Sequence, residues 1–348
     1  MSLARYGATA LLLLVVLRAA TVAAAAAAET RVNIGSKAFT ESVILGEAVT
    51  QLSRARGAAD VHHRRELGGT RIVFNALLRG DIDVVPDIAN SDIAELKKND
   101  KVKTSVITSM SLVGLIIQTR DPLLQNVKLR QAIAAAIDVK ELVATITDGL
   151  GTPNNSIIPM LSAYYGAAQK EGWAYDPAAA RKLLAEAGYK GEKIVMLANK
   201  RYPESFDAAV VAQQMLKAVG LNIEIEVLEW ATQLDRYTKG NYQMQAFPYS
   251  GRMDPALSYE SMTGPKDKQP RKLWDNPEVQ ALLDKSMVVN DRAGRQAIFD
   301  TLHRRFLAEV PMVMLYNGIV GGAMSAKTQG YVSTVSSLPR AWEVTVGE

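Results

Sequence analysis

The sequence predicts an α/β protein of two lobes, each built on a small sheet. Three observations lead there. A β-α-β-α-β alternation fills residues 32–86, and a second alternation of the same kind fills residues 194–247. The chain is 348 residues long, a length that ordinarily divides into two domains or lobes. Alternating strands and helices of this kind build parallel sheets with covering helices.

The start of the chain reads as a leader. Arg5 stands in a short basic segment, residues 8–17 (ATALLLLVVL) are apolar, and residues 19–28 are small and alanine-rich. The apolar run is too short for a stable membrane span, and the pattern is that of a secretory signal cut after about residue 28. The expected location is therefore the periplasm.

The remaining elements follow in order. Residues 32–34 read as a strand, 35–37 as a loop, and 40–56 as a helix with Leu45, Ala48, Val49 and Leu52 on one face. Thr40 suits its cap, and Gly57 its end. A second strand is expected near 61–66, a turn at Gly68-Gly69, a short helix carrying Phe74, Leu77 and Leu78, and a third strand at 82–85. A small helix at 93–99 precedes a strand at 111–119. Helices are expected at 128–137 and 140–147, then a Gly/Pro/Asn-rich loop at 149–159. Asp176-Pro177 opens a helix to residue 187, with aspartate at the cap and proline in the first turn. The second block reads as strand 194–198, helix 205–219, strand 223–228, helix 232–239 and strand 244–247. Helices at 277–289 and 293–308 lead to a strand at 312–316. There is no 20- to 50-residue repeat.

Composition excludes several functions. The chain has no cysteine, so no disulfide framework, thiolate metal site, cysteine nucleophile or lipid-bearing N-terminal cysteine is available. Lys and Arg number 40 against 36 Asp and Glu; without Arg5 and Arg18 the balance is 38 to 36. The charges are interspersed, so no nucleic acid partner is expected. His62, His63 and His303 are the only histidines. Adjacent His62 and His63 on a strand point to opposite faces and make a poor chelate. No hydrolase, zincin or phosphate-loop pattern occurs. No enzyme activity, cofactor or metal is expected.

Two runs of residues carry family resemblances. IGSKAFTES, ILGE and LGGTRIVFNAL, within residues 32–86, resemble the opening of the glycine betaine/choline-type binding proteins. From about residue 80 onward, GDIDVVPD, VKLRQAIAAAID, YDPAAARKLLAEAGY, QMLKAVGLNIEIEVLEWATQLDRYTKGNYQM, SGRMDP and VPMVMLYN resemble the peptide/nickel/oligosaccharide-binding proteins, family 5 of the bacterial solute-binding proteins. Both resemblances imply the two-lobed type II periplasmic binding fold, here with a shortened first lobe, and delivery of a solute to an ABC permease in the inner membrane. They imply lobe 1 from residues 29–115 plus 312–348 and lobe 2 from 116–311. Hinge closure would occur about two crossing segments near 114–120 and 308–315. The expected form is a monomer that binds a small-molecule or short-peptide ligand. A quaternary ammonium osmolyte is the alternative, and a periplasmic peptide-segment interaction protein or a non-functional fusion lies outside the class.

In such a trap the ligand meets loops at the carboxyl ends of strands. Ser36 and Thr40 lie in a loop before a helix N-terminus, which suits an anionic group or serves only as a cap. Gly69 and Thr70 form a similar loop. Tyr249, Ser250 and Arg252 follow a strand. In peptide-binding relatives this turn carries an aspartate for the peptide amine, and Gly251 stands at that position here. Arg252 offers a bidentate clamp for a carboxylate or phosphate. Trp230 and Tyr316, with Tyr202, are the candidate aromatic walls. Asp254 is expected to cap a turn.

Overall fold

The computed structural model describes residues 32–36, 40–55, 60–68, 70–86, 88, 90–335, 340 and 343–347. The expected leader (1–28), Gly57 and Gly69 lie outside this set, as do the side chains of Thr40 and Thr70.

The elements in chain order are β1 (Val32–Gly35), α1 (Thr40–Ala55), β2 (Val61–Arg64), α2 (Thr70–Arg79), β3 (Val84–Val85), α3 (Asn90–Leu96) and β4 (Val102–Ile117). Then come α4 (Val127–Ala135), α5 (Val139–Ile146), α6 (Pro177–Glu186), β5 (Ile194–Ala198), α7 (Pro203–Ala218), β6 (Ile223–Val227), α8 (Trp230–Lys239) and β7 (Met244–Tyr249). The chain continues with α9 (Pro255–Met262), α10 (Pro277–Val288), α11 (Arg292–Glu309), β8 (Met312–Ser325), β9 (Thr328–Gln329) and β10 (Thr345–Val346).

The strands do not form two separate sheets. They join in one eight-stranded sheet of order β2-β1-β3-β8-β4-β7-β5-β6. One wing, β1 to β3, is parallel; the other, β5 to β7, is also parallel. The antiparallel pair β4–β8 joins them, with β8 on β3 and β4 on β7. Pairing satisfies the backbone donors and acceptors along the inner edges of both wings, which would otherwise be exposed. Both joining strands are longer than the sequence suggests. β4 begins nine residues before the expected strand at 111, in the polar run KTSVITSMS, and β8 continues to Ser325 through three glycines. The β4–β8 register shifts between Thr108 and Leu112 and again between Val113 and Gly114, so the pair is interrupted where the wings meet.

Alternation along the strands sorts side chains to two faces. In the second wing Leu115, Ile117, Met196, Met244 and Leu315 join Ile133, Leu142, Ala212 and Leu216 in one core. Ile116, Leu197, Phe247, Met312 and Met314 join Tyr259, Phe299, Leu302 and Phe306 in the other. The first wing has its own core of Phe74, Leu77, Ile82, Val85, Ile93 and Leu96.

Aspartates and prolines punctuate the helices as the sequence implies. Asp176 accepts hydrogen bonds from the amides of Ala178 and Ala179, with Pro177 in the first turn of α6. Asp254 caps α9 through Ala256 N–H. Among the described residues no helix is long and apolar enough to cross a membrane.

Candidate functional site

The parallel strands β5 and β6 end level at Ala198 and Val227, β7 runs on to Tyr249, and the loops that follow share one end of the sheet. Asn199 organises the first loop. It is buried, its Oδ1 accepts from the amides of Arg201 and Tyr202, and its Nδ2 donates to Gln233 Oε1 at 2.5 Å. Gln233 in turn donates to Gln245 Oε1 and the Ala246 carbonyl, fastening α8 to β7.

This frame holds a row of aromatics. Tyr202 meets Trp230 edge-on at 4.9 Å between centroids, and Trp230 meets Phe247 at 5.5 Å. Phe247 stacks on Tyr237 at 4.5 Å and touches Tyr249 at 5.2 Å. The Tyr237 and Tyr249 hydroxyls are hydrogen-bonded at 3.0 Å. Burial of that hydroxyl end holds the Tyr249 phenol well above its ordinary range, as do Tyr237 and Tyr242. The rings of Tyr202, Trp230 and Tyr249 remain half-buried, so each shows part of its surface. Ser250 and Arg252 beyond them are exposed.

Gly251 is a site of close approach. A Cβ there would stand 2.4 Å from Met110 Cβ and 2.6 Å from the Met110 carbonyl oxygen on β4. No side chain fits, so an aspartate cannot occupy this position without moving backbone. Asp254 does not substitute for it. Its carboxylate accepts from Arg295 NH2 at 2.9 and 3.0 Å while capping α9, and Arg295 lies 5.2 Å over the Tyr164 ring. Tyr316 is placed differently from the other aromatics. It is 1% exposed, belongs to the apolar core, and its hydroxyl is pushed well up by burial and by Glu204 and Asp207.

In the first wing Ser36 follows β1 and is 2% exposed. Its amide donates to Arg64 O and its carbonyl accepts from Leu67 N–H, so it ties β1 to the turn after β2. Its Oγ lies 2.9 Å from His63 Nε2; His63 Nδ1 lies 3.0 Å from Glu47 Oε2, which also accepts from Arg65 NH2 at 2.6 Å. Glu47 is held down to about 2, first by the His63 hydrogen bond and then by Gln51 and Arg65. Gly46 makes room for the imidazole: a Cβ there would be 2.4 Å from His63 Nε2. His62 turns to the other face, where it meets Asp60. The relay resembles a nucleophile–base–orienter chain in order, but what it does visibly is clamp β1, β2 and α1 together. Its members stand 11, 16 and 27 residues apart, a spacing with no local pattern, which is why sequence reasoning passes over it. Among the described residues no group of three or more His, Cys, Asp or Glu could hold a metal ion.

The chain is 26% identical over 250 residues to the glutathione-binding protein GsiB of Pectobacterium atrosepticum, covering 68% of this chain and 48% of the relative. It is 24% identical over 265 residues to the heme-binding protein A of Haemophilus influenzae, covering 73% of this chain and 47% of the relative. The chain thus spans about half the length of the curated relatives it matches. The fold is shared with the crystal structure of a Pseudoalteromonas dipeptide-binding protein in complex with Met-Leu, at TM-score 0.71 and 22% identity, covering 82% of this chain and 58% of that one. These neighbours establish the two-lobed periplasmic-binding architecture that the sequence predicts. The osmoprotectant likeness of residues 32–86 finds no support: the family match below already takes in residues 71–86, and the relatives just named bind other solutes. The profile of the bacterial extracellular solute-binding proteins, family 5 Middle, matches residues 71–270, more than half of the sequence, and the chain belongs to that family.

Proposed function

We propose that this protein captures short peptides or peptide-like amphoteric solutes between two lobes and hands them to an ABC permease in the inner membrane. The observation that carries the reading is the half-buried aromatics Tyr202, Trp230 and Tyr249, with exposed Arg252 three residues beyond Tyr249. They sit at the carboxyl ends of parallel strands, where open α/β sheets receive ligands. The names of the relatives support the ligand class: glutathione, dipeptides and a Met-Leu complex.

Residues 29–115 and 312–348 form lobe 1 in this reading, and 116–311 form lobe 2. Ser36, Thr40, Gly69 and Thr70 are the ligand candidates of lobe 1; Trp230, Tyr249, Ser250 and Arg252 are those of lobe 2. Tyr316 acts from behind, by packing. Because Gly251 has no room for an amine-binding aspartate, recognition rests on the ligand's anionic end, clamped by Arg252. The function is binding without a catalytic step, in a periplasmic monomer. The quaternary ammonium alternative is not favoured, since a cation has no aromatic cage closed around it at this wall.

Thermal melting with glutathione, Met-Leu, choline, glycine betaine and Ni²⁺ tests the reading. Saturable stabilisation by glutathione or the dipeptide, weakened about tenfold or more in Arg252→Gln, is the expected result. Stabilisation by betaine alone would favour the alternative. A cooperative melt unmoved by every ligand would remove both.

A further inference from the structure

One cavity among the described residues has none of Tyr202, Trp230, Tyr249 or Arg252 in its lining. It holds about 460 Å³ and is lined by Gln118, Arg120, Asp121, Val195, Leu197, Glu226, Arg236, Gly240, Asn241, Tyr242 and Gln243. It opens at the amino ends of β5 and β7, beneath the last turn of α8. Arg252 follows the carboxyl end of β7, so the six residues of that strand lie between it and Gln243 of the cavity lining.

Its charges leave a definite remainder. Glu226 is consumed by Arg236, whose two guanidinium nitrogens reach its two oxygens at 2.7 and 2.8 Å. Asp121 is turned into the chain, accepting from the amides of Leu123 and Leu124 and from Gln243 Nε2. Among the described residues the Arg120 guanidinium has neither ion pair nor hydrogen bond, although its backbone amide donates to Gln118 Oε1. Behind Gln118 stands Lys266, wholly buried, whose ammonium is met only by the neutral oxygens of Gln118 and Thr119, at 3.0 and 2.5 Å. Asp275 binds the Lys266 backbone amide, not its ammonium. Val195 and Leu197 supply apolar wall, and the buried Tyr242 hydroxyl, near the Gln245 amide, makes no hydrogen bond of normal geometry. A cavity of this size with an unpaired guanidinium at its mouth and an ammonium without an ion pair behind it suits a negative charge on an apolar body.

We propose that this cavity is a second ligand site, separate from the cleft between the lobes, for a small molecule bearing one carboxylate on a compact apolar body. The carboxylate pairs with Arg120, and the body lies on Val195 and Leu197. Lys266 tunes the site with pH. Burial, then Arg120, lower it to about 7, Arg130 adds to this, and Asp275 opposes it. Its positive charge is therefore present below about pH 7 and lost above, so anion binding strengthens as pH falls.

Isothermal titration of the full chain with benzoate, and with inorganic phosphate as a charge-only probe, tests the proposal. Benzoate is expected to bind saturably at one site, more tightly than phosphate. Arg120→Gln should weaken it about tenfold or more. Affinity should be higher at pH 6 than at pH 8 in the wild type, and Lys266→Met should flatten that profile. Arg252→Gln should leave benzoate binding unchanged. Arg120 is exposed and unpaired, so its variant should melt like the wild type. The proposal is overturned if benzoate shows no saturable heat, if Arg120→Gln binds it equally well, or if Arg252→Gln abolishes it. The last outcome would place benzoate in the cleft.

Discussion

At the scale of single residues, Glu47 and Gly251 show how much one position can decide. Glu47 serves three partners from α1, and its carboxyl is held down to about 2 with the His63 hydrogen bond as the first cause. A carboxyl depressed in the folded state stabilises it above its ordinary value of 4.5, and that contribution fades as pH falls through about 2. Glu47→Gln should therefore lower the melting temperature near neutral pH, and the gap should close towards pH 2. Melting curves of both proteins across pH 2–7 check this; a gap that persists at pH 2 would mean packing, not charge, is at stake. Gly251 lies against β4 so closely that Gly251→Asp, which restores the residue expected from peptide-binding relatives, should cost about 1–3 kcal/mol in urea unfolding. Such a variant gaining amine-dependent peptide affinity with no loss of stability would contradict the contact with Met110.

At the scale of elements, α9 illustrates a double use of one side chain. Asp254 caps the helix through Ala256 N–H and pairs with Arg295 of α11. Asp254→Ala should cost about 1–2 kcal/mol, mostly from the lost cap, because the carboxylate is 42% exposed and the ion pair is screened. Chemical denaturation measures it. Asp-Pro stands before both α6 and α9. Sequence reasoning finds α6, where an apolar period follows, and misses α9, where Pro255, Ala256, Ser258, Tyr259 and Met262 are all buried and no polar face marks the helix. The long strands escape for a related cause. Residues 103–108 are largely polar and mostly half-buried, and Gly318, Gly321 and Gly322 interrupt the apolar run that opens β8. Pairing with each other makes them strand, and a partner more than 200 residues away leaves no local trace.

At the scale of the whole molecule, the β4–β8 pair is both joint and divider. Its register breaks between Thr108 and Leu112, and buried Asn317 sits at the break, donating to Ser111 O and accepting from Asn154 Nδ2 and Met160 N–H. Closure of two lobes about this pair is the motion the proposed function needs. Saturating glutathione should lower the radius of gyration in small-angle X-ray scattering. Saturable binding with an unchanged radius would rule out closure as the means of capture. The second cavity lies within one wing, so benzoate should leave the radius unchanged.

The chain's own order of residues determined the α/β class, the positions of most helices and of the short strands, and the aromatic and arginine candidates after β5, β6 and β7. Periodicity, caps and turn residues act over a few neighbours, and that range suffices for them. Only the tertiary structure decided that the two alternating blocks share one sheet and that Tyr316 is core while Tyr202 and Trp230 stay half-buried. It alone also brought Ser36, His63 and Glu47 together and left Arg120 and Lys266 without an ion pair among the described residues. Each of these depends on what distant segments place next to a side chain, on burial and on which charges are already paired.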